Sequence, residues 1–290
     1  MYIDINGKKR QKVGLHIHTT VSDGAWTREE SFASYKELGY DAIAFTDHWK
    51  YGKADRIDGV TVISGAEYDV GGAAAENGVF HVVGLFMERE PDIEKASVKN
   101  AQQIIDAIHA VGGLAVLAHP AWSLNTPEMI TELKGIDATE IYNAVSEHGQ
   151  SFRPDSSVIV DMLAGKKVYY PLLATDDTHI YKGVDNGKGF IMVECPTNDP
   201  DEIKKAIVEK RFYASQGPEI HIRREGDKFL VDCSPASKIY FASNVVWCWR
   251  LIEGEGLTHA EYNIHPSDKF VRAVVIDAEG KSAWTNVIEV

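Results

Sequence analysis

The stretch Leu15-His16-Ile17-His18-Thr19 places two imidazoles two residues apart at the end of an apolar run (Val13, Leu15, Ile17). On a strand, residues i and i+2 point to the same face. Neutral imidazole is the commonest side-chain metal ligand, so the pair reads as half of a metal site. Further ligand-type residues follow: Asp23 in Val21-Ser22-Asp23-Gly24, His48 in Thr46-Asp47-His48, Glu67 in Gly65-Ala66-Glu67, His81, His119 in Ala118-His119-Pro120, and Asp177 and His179 in Asp177-Thr178-His179. The set holds no thiolate. Nitrogen and carboxylate donors suit zinc, manganese or iron(II), and softness does not select among them. Nine candidates exceed the needs of one ion, and Glu67 or Asp177 could bridge two. Metals about 4 Å apart clamp attacking and leaving oxygens and acidify a shared water, which fits phosphate-ester hydrolysis.

These residues need a scaffold that brings distant segments together. Up to about residue 217, short apolar runs read as strands at 13–17, 42–45, 60–63, 80–85, 114–118, 138–142, 170–174 and 190–193. Helical patterns lie between several of them. Thr27 and Glu30 form a capping-box pattern for a helix to Leu38, closed by Gly39. Ala101, Ile104, Ile105 and Ile108 keep a 3.6-residue period that ends at Gly112-Gly113. Residues 155–163 and 201–208 are similar. Such alternation argues for a mostly parallel α/β sheet, open or closed into a barrel. Most of the candidate ligands come just after these strands, where active sites of parallel α/β folds form.

After Gly217-Pro218 the texture changes. About seven short β-type runs follow, separated by turn signals such as Glu225-Gly226-Asp227 and Glu279-Gly280, with no helical period. A small antiparallel β-sandwich over 218–290 is the expectation, beside an α/β domain over 1–217.

The chain has 290 residues, of which 44% are hydrophobic and 25% charged, enough for a substantial core. Its net charge of −13 argues against broad nucleic-acid or anionic-membrane binding, yet leaves room for a small anionic substrate at a local cationic site. Three dispersed cysteines, Cys195, Cys233 and Cys248, imply no disulfide framework. No segment approaches the apolar length of a bilayer span, so a cytoplasmic protein is expected.

Taken in order, His16-Ile17-His18, Asp23, Thr46-Asp47-His48, Glu67, His81, Ala118-His119-Pro120 and Asp177-Thr178-His179 resemble the motifs of the PHP (polymerase and histidinol phosphatase) superfamily. The resemblance covers roughly residues 11–215 and implies a distorted (β/α)7 barrel carrying two or three divalent metal ions (zinc, manganese or iron). It implies a first metal on His16, His18, Glu67 and Asp177, a second on Glu67, His81 and His119, and a third on Asp23, His48 and His179. Glu140-Ile141-Tyr142-Asn143 resembles a further family segment near the substrate, and Ala283-Trp284-Thr285-Asn286 resembles the small β-domain of one subgroup. The long helical insertion of nucleotide-cleaving members does not fit between His81 and His119.

The resulting expectation is a hydrolase of small phosphomonoesters or phosphodiesters, in which a metal-bridging hydroxide attacks phosphorus in line. The alternatives are a carboxylic or carbamate ester hydrolase on the same barrel, and a non-catalytic binding module. His81, when not ligated, and His148 are the candidate acids for the leaving group. His148, Arg153 and Lys182 are candidate contacts for the substrate anion, and Trp122 is a candidate pocket wall. Asp47 is read as a structural neighbour of His48. His109, His221, His259 and His265 are read as surface residues.

Overall fold

A computed structural model describes residues 2–180 and 184–290, and their side chains except at 77, 148 and 149. The first half builds strands β1 (Tyr2–Ile3), β2 (Lys9–Gly14), β3 (Ala42–Ala44), β4 (Asp55–Ile57), β5 (Val60–Ile63), β6 (Gly65–Val70), β7 (Phe80–Leu85), β8 (Leu114–Leu117) and β9 (Ala138–Asn143). They are followed by β10 (Leu172–Thr175), β11 (Phe190–Glu194) and β12 (Phe212–Ser215). The helices are α1 (Arg28–Glu37), α2 (Ala101–His109), α3 (Pro127–Glu132), α4 (Ser157–Gly165) and α5 (Pro200–Val208). Thr27 and Glu30 do close a reciprocal capping box on α1. The predicted face of α2, Ala101, Ile104, Ile105 and Ile108, is buried.

The ladders form two sheets and, among the described residues, do not close into a single barrel. One sheet runs β10-β9-β8-β7-β6; the other carries β11-β2-β3-β5-β4 at one end. Parallel pairs join β2 to β3, β3 to β5, β8 to β9 and β9 to β10, while β6-β7 and β7-β8 are antiparallel. The sheets meet at isolated bridges. Ile17 pairs with Thr178, His48 with Glu67, and Gly52 with Gly65. Between the layers, Val13, Leu15, Ala44, Ile63, Val83, Val116, Ile141 and Ala174 form one buried cluster.

The last part differs from the expected sandwich of short strands. Its strands are β13 (Ile220–Glu225), β14 (Lys228–Ser243), β15 (Arg250–Asn263), β16 (Phe270–Ile276), β17 (Ser282–Trp284) and β18 (Ile288–Glu289). Where only short runs were expected, β14 is one 16-residue strand paired with a 14-residue partner, β15. Pro235 sits within β14 where the register to β15 shifts between Asp232 and Lys238. A bulge accommodates a proline without ending the strand. Nor does the sheet break at Gly217: β12 pairs with β17, which pairs with β16, so strands from both sides of that glycine share one sheet. Trp284 stacks on Tyr142 of β9, and Asn286 Oδ1 accepts the Leu172 N–H of β10 at 2.8 Å. The C-terminal strands thus brace the two strands whose ends enter the site.

Candidate metal centre

Most candidate ligands stand beside an isolated bridge or just past a strand end, whereas Glu67 and His81 lie within β6 and β7 and Asp23 in the turn after His18. His16 and His18 flank Ile17, and Asp177 and His179 flank Thr178, so the Ile17–Thr178 bridge brings four candidates together. The His48–Glu67 bridge brings in two more. His119 follows β8. β6 and β7 run antiparallel with Glu67 opposite Val83 and Asp69 opposite His81, so Glu67, Asp69 and His81 point to one face. Three residues here have left-handed backbone: Trp49 (φ 56°), His119 (φ 29°) and Asp177 (φ 50°). Such conformations cost energy and persist where the surroundings over-determine them. Each N–H is indeed held: Trp49 on Glu67 O at 2.8 Å, His119 on Glu140 Oε2 at 2.8 Å and Asp177 on His16 O at 2.9 Å. Gly24 is required for a different reason. A Cβ there would lie 2.6 Å from the His18 carbonyl, so only glycine lets the turn bearing Asp23 close against the histidine pair.

Four donor atoms converge at the first position. His16 Nε2 lies 3.1 Å from His18 Nε2, 3.3 Å from Glu67 Oε2 and 3.2 Å from Asp177 Oδ1. His18 Nε2 lies 3.1 Å from each of the same two oxygens. A tetrahedral ion with donors about 2.0 Å away has donor–donor edges of about 3.3 Å, and these five separations are close to that edge. All four side chains are buried, and Asp177 Oδ1 has no hydrogen-bond partner within the protein. A buried carboxylate oxygen without a donor is costly, and a cation relieves it. The residues therefore fit a metal ion.

Glu67 extends the centre. Its Oε1 faces His81 Nδ1 at 2.9 Å and His119 Nε2 at 3.3 Å, while Oε2 also faces His48 Nδ1 at 3.3 Å. A third group gathers on the solvent side: Asp23 lies 3.4 Å from His18 Nδ1, 3.4 Å from His179 Nε2 and 3.7 Å from His48 Nε2. His48 thus reaches Glu67 with one nitrogen and Asp23 with the other. Trp122 packs edge-on to His81 and His119, with centroids 5.3 and 4.9 Å away, and walls this side.

The electrostatics without ions follow from this crowding. Burial pushes the His16 and His18 imidazoles down. The facing carboxylates, Asp177 and Glu67 above all, outweigh burial and hold both well above their usual range. Burial raises Glu67 and Asp177, but the imidazoles turned toward them hold both carboxyls well below theirs. His48 is the exception, because burial lowers it more than Glu67 raises it. A positive ion can take the place of the protons on His16 and His18.

Residues outside the candidate ligand set hold the ligands in place. Glu140, fully buried, accepts from His16 Nδ1 at 2.7 Å, from His119 N at 2.8 Å and from Asn143 Nδ2 at 2.8 Å. Asn143 Nδ2 also reaches Asp177 Oδ2 at 3.1 Å. Asp47 accepts from Thr19 N at 2.7 Å, Ser22 Oγ at 3.1 Å and Arg28 Nη2 at 3.0 Å, which pins the loop after His18 as its structural reading expects. Asp176, beside Asp177, accepts from Tyr35 Oη and from the N–H groups of Gly187, Lys188 and Gly189, and burial pushes its carboxyl up to about 6. Asp69 accepts from Trp49 Nε1 at 2.7 Å and lies 4.0 Å from His48 Nδ1. Its position two residues beyond Glu67 on one strand was a signal in the sequence; for the donors around it there was none.

Among the remaining candidates, Arg153 is exposed on the segment between β9 and α4. Lys182 and the His148 side chain lie outside the described residues. His221 differs from expectation: its side chain is 11% exposed and bonded to Glu219 Oε1 at 2.5 Å. Cross-strand pairing to Asp232 and the neighbouring N-terminal strands cover it.

An α/β scaffold that gathers buried imidazoles and carboxylates around shared oxygens defines a metal-dependent hydrolase. The chain belongs to the PHP domain family, whose model matches residues 14–192. A two-domain protein from Bacteroides vulgatus containing a predicted PHP-like metal-dependent phosphoesterase shares the fold at a TM-score of 0.54 and 15% identity, covering 98% of this chain and 97% of that one. More distant similarity links it to a putative metal-dependent phosphoesterase from Bifidobacterium adolescentis (TM-score 0.44, 15% identity, 69% of this chain and 96% of that one). An amidohydrolase from Chromobacterium violaceum with bound sulfate stands at a TM-score of 0.45 and 14% identity, covering 69% and 96%. No curated protein sequence matches. No helix among the described residues is long and apolar enough to cross a membrane.

Proposed function

We propose that this protein is a metal-dependent phosphoesterase that hydrolyses a small phosphomonoester or phosphodiester. The observation that carries the reading is the division of one carboxylate: Glu67 Oε2 faces His16, His18 and His48, while Oε1 faces His81 and His119. When bound, paired divalent ions supply Lewis acidity to the phosphoryl oxygens and acidify the attacking water. In this reading His16, His18, Glu67 and Asp177 hold one ion, Glu67, His81 and His119 a second, and Asp23, His48 and His179 a third. Zinc, manganese and iron(II) all suit such donors.

The work of the chain itself is positional. Glu140 takes the Nδ1–H of His16 and leaves Nε2 to face the centre. Asn143 ties Glu140 to Asp177. The inner residues exclude water, whereas Asp23 (52% exposed), His48 (24%) and His81 (13%) form the edge that a substrate meets. His81, when not a ligand, and His148 are the proposed proton donors to the leaving group. His148, Arg153 and Lys182 are proposed contacts to the substrate. The proposed division at residue 217 leaves the whole centre in the first part of the chain.

The test is turnover by the metal-loaded protein across aryl phosphates, alkyl phosphodiesters, aryl carboxylic esters and carbamates. Preferential cleavage of phosphate esters is expected. Cleavage of carboxylic or carbamate esters alone moves the protein to that second class, because the same ions activate carbonyls. A fully loaded protein that cleaves no phosphate ester sinks the proposal.

A further inference from the structure

We infer that Lys95 is a specificity-determining residue that receives the anionic oxygens of the substrate on the open side of the centre. The inference rests on the phosphoesterase reading above and narrows it to charged over neutral esters. Among the described residues, two ion pairs with a lysine or arginine flank the centre. In the first, Arg28 Nη2 binds Asp47 at 3.0 Å. Asp47 is fully buried and also receives Thr19 and Ser22, so Arg28 is committed to the loop it holds. In the second, Lys95 Nζ binds Asp69 Oδ1 at 2.9 Å, with side chains 62% and 19% exposed.

This second pair opens toward solvent beside the ligands. Asp69 shares its face of β6–β7 with Glu67 and His81, and the oxygen that holds Lys95 is 4.0 Å from His48 Nδ1. The Lys95 ammonium also lies 5.8 Å from the centre of the Trp49 ring. The segment that carries it is anchored. Ile93 and Val98 on either side pack against the core, and Ser97 N donates to Glu94 O at 2.9 Å.

The pair is built to be exchanged. Exposed ion pairs hold weakly, and a lysine head moves on a flexible stem. When Lys95 turns to an incoming anion, Asp69 Oδ1 keeps the Trp49 Nε1 donor at 2.7 Å, so the oxygen that Lys95 leaves still has a partner. A phosphate ester carries oxygens that the ions do not engage, and a cation here answers them. A neutral carboxylic ester has no such charge to offer.

The test uses the metal-loaded full chain with Lys95→Ala and Lys95→Arg. KM and kcat are measured for an aryl phosphate and an aryl acetate, and inorganic phosphate binding is measured by calorimetry, with metal content determined for each variant. Lys95→Ala should raise KM for the aryl phosphate and weaken phosphate binding by about tenfold each. The aryl acetate KM and the metal content should stay unchanged, and Lys95→Arg should restore most of the loss. Unchanged phosphate affinity, equal losses on both esters, or loss of metal overturns the assignment. If the wild type cleaves no phosphate ester, the phosphoesterase reading fails separately, and the calorimetry still decides whether Lys95 binds the anion. A wild type that binds no phosphate overturns it as well.

Discussion

The carboxylate of Glu140 receives the Nδ1–H of His16 at 2.7 Å, from a position 124 residues away in the chain. That bond orients one ring nitrogen, and the same carboxylate also holds the strained His119 backbone. A group that touches no proposed ion directly therefore sets two of the ligands. Glu140→Ala should lower metal affinity by about 10- to 100-fold, the range for such outer partners. Glu140→Gln should lose less, since its amide oxygen still accepts. Competition with a chromogenic chelator reads both.

Glu67 should matter more than any single histidine, because both of its oxygens are in use. Glu67→Ala should reduce bound metal more than His81→Ala. Replacing His16 and His18 together should remove one ion and most turnover with the fold retained. Elemental analysis beside circular dichroism checks these outcomes, and loss of the fold in the double variant would mean that the pair is structural.

Metal-free and metal-loaded protein should respond to pH in opposite senses. In the folded, metal-free chain His16 and His18 hold protons well above the usual 6.5. Their contribution to stability is complete below the unfolded value and lost as pH rises through the raised folded value. The same deprotonation frees nitrogen donors, so metal affinity should rise over that window. Melting temperatures from about pH 6 to about pH 9 should fall without metal, and the gap to the loaded protein should widen. A gap that narrows would refute the assignment of these two histidines as ligands.

Arg272 of β16 is buried and held by Asp161 of α4 at 2.6 and 2.8 Å. Asp161→Ala leaves that guanidinium unpaired and should cost about 3–5 kcal/mol. Arg272→Met, which fills the space without a charge, should cost less. Denaturant midpoints compare the two, and neither should change the metal content, because neither residue contacts a candidate ligand.

Much of this protein was legible in residue type and short spacing. Thr27 and Glu30 announced their helix, and Ala101 to Ile108 their buried face, because capping and helical period are local. His16-Ile17-His18, Thr46-Asp47-His48 and Asp177-Thr178-His179 marked the metal chemistry because donor atoms are a property of the side chain itself. Other features depended on contacts between distant segments. Pro235 does not end its strand, because pairing to β15 continues on both sides of it through a register shift. Glu140-Ile141-Tyr142-Asn143 was marked by resemblance, but its bonds to His16 and His119 arise only when β9 is set beside β8, and Asp69 looks like an ordinary strand carboxylate until β6 lies against β7. Lys95 carries no local signal, since its place beside Asp69 arises from where the chain crosses before α2. The sequence by itself determined which atoms could bind metal. Only the tertiary structure decided that Glu67 is shared, that Glu140 orients His16 and that a lysine stands at the open edge. Distances between side chains remote in the chain are set by strand pairing and packing, and no local pattern encodes them.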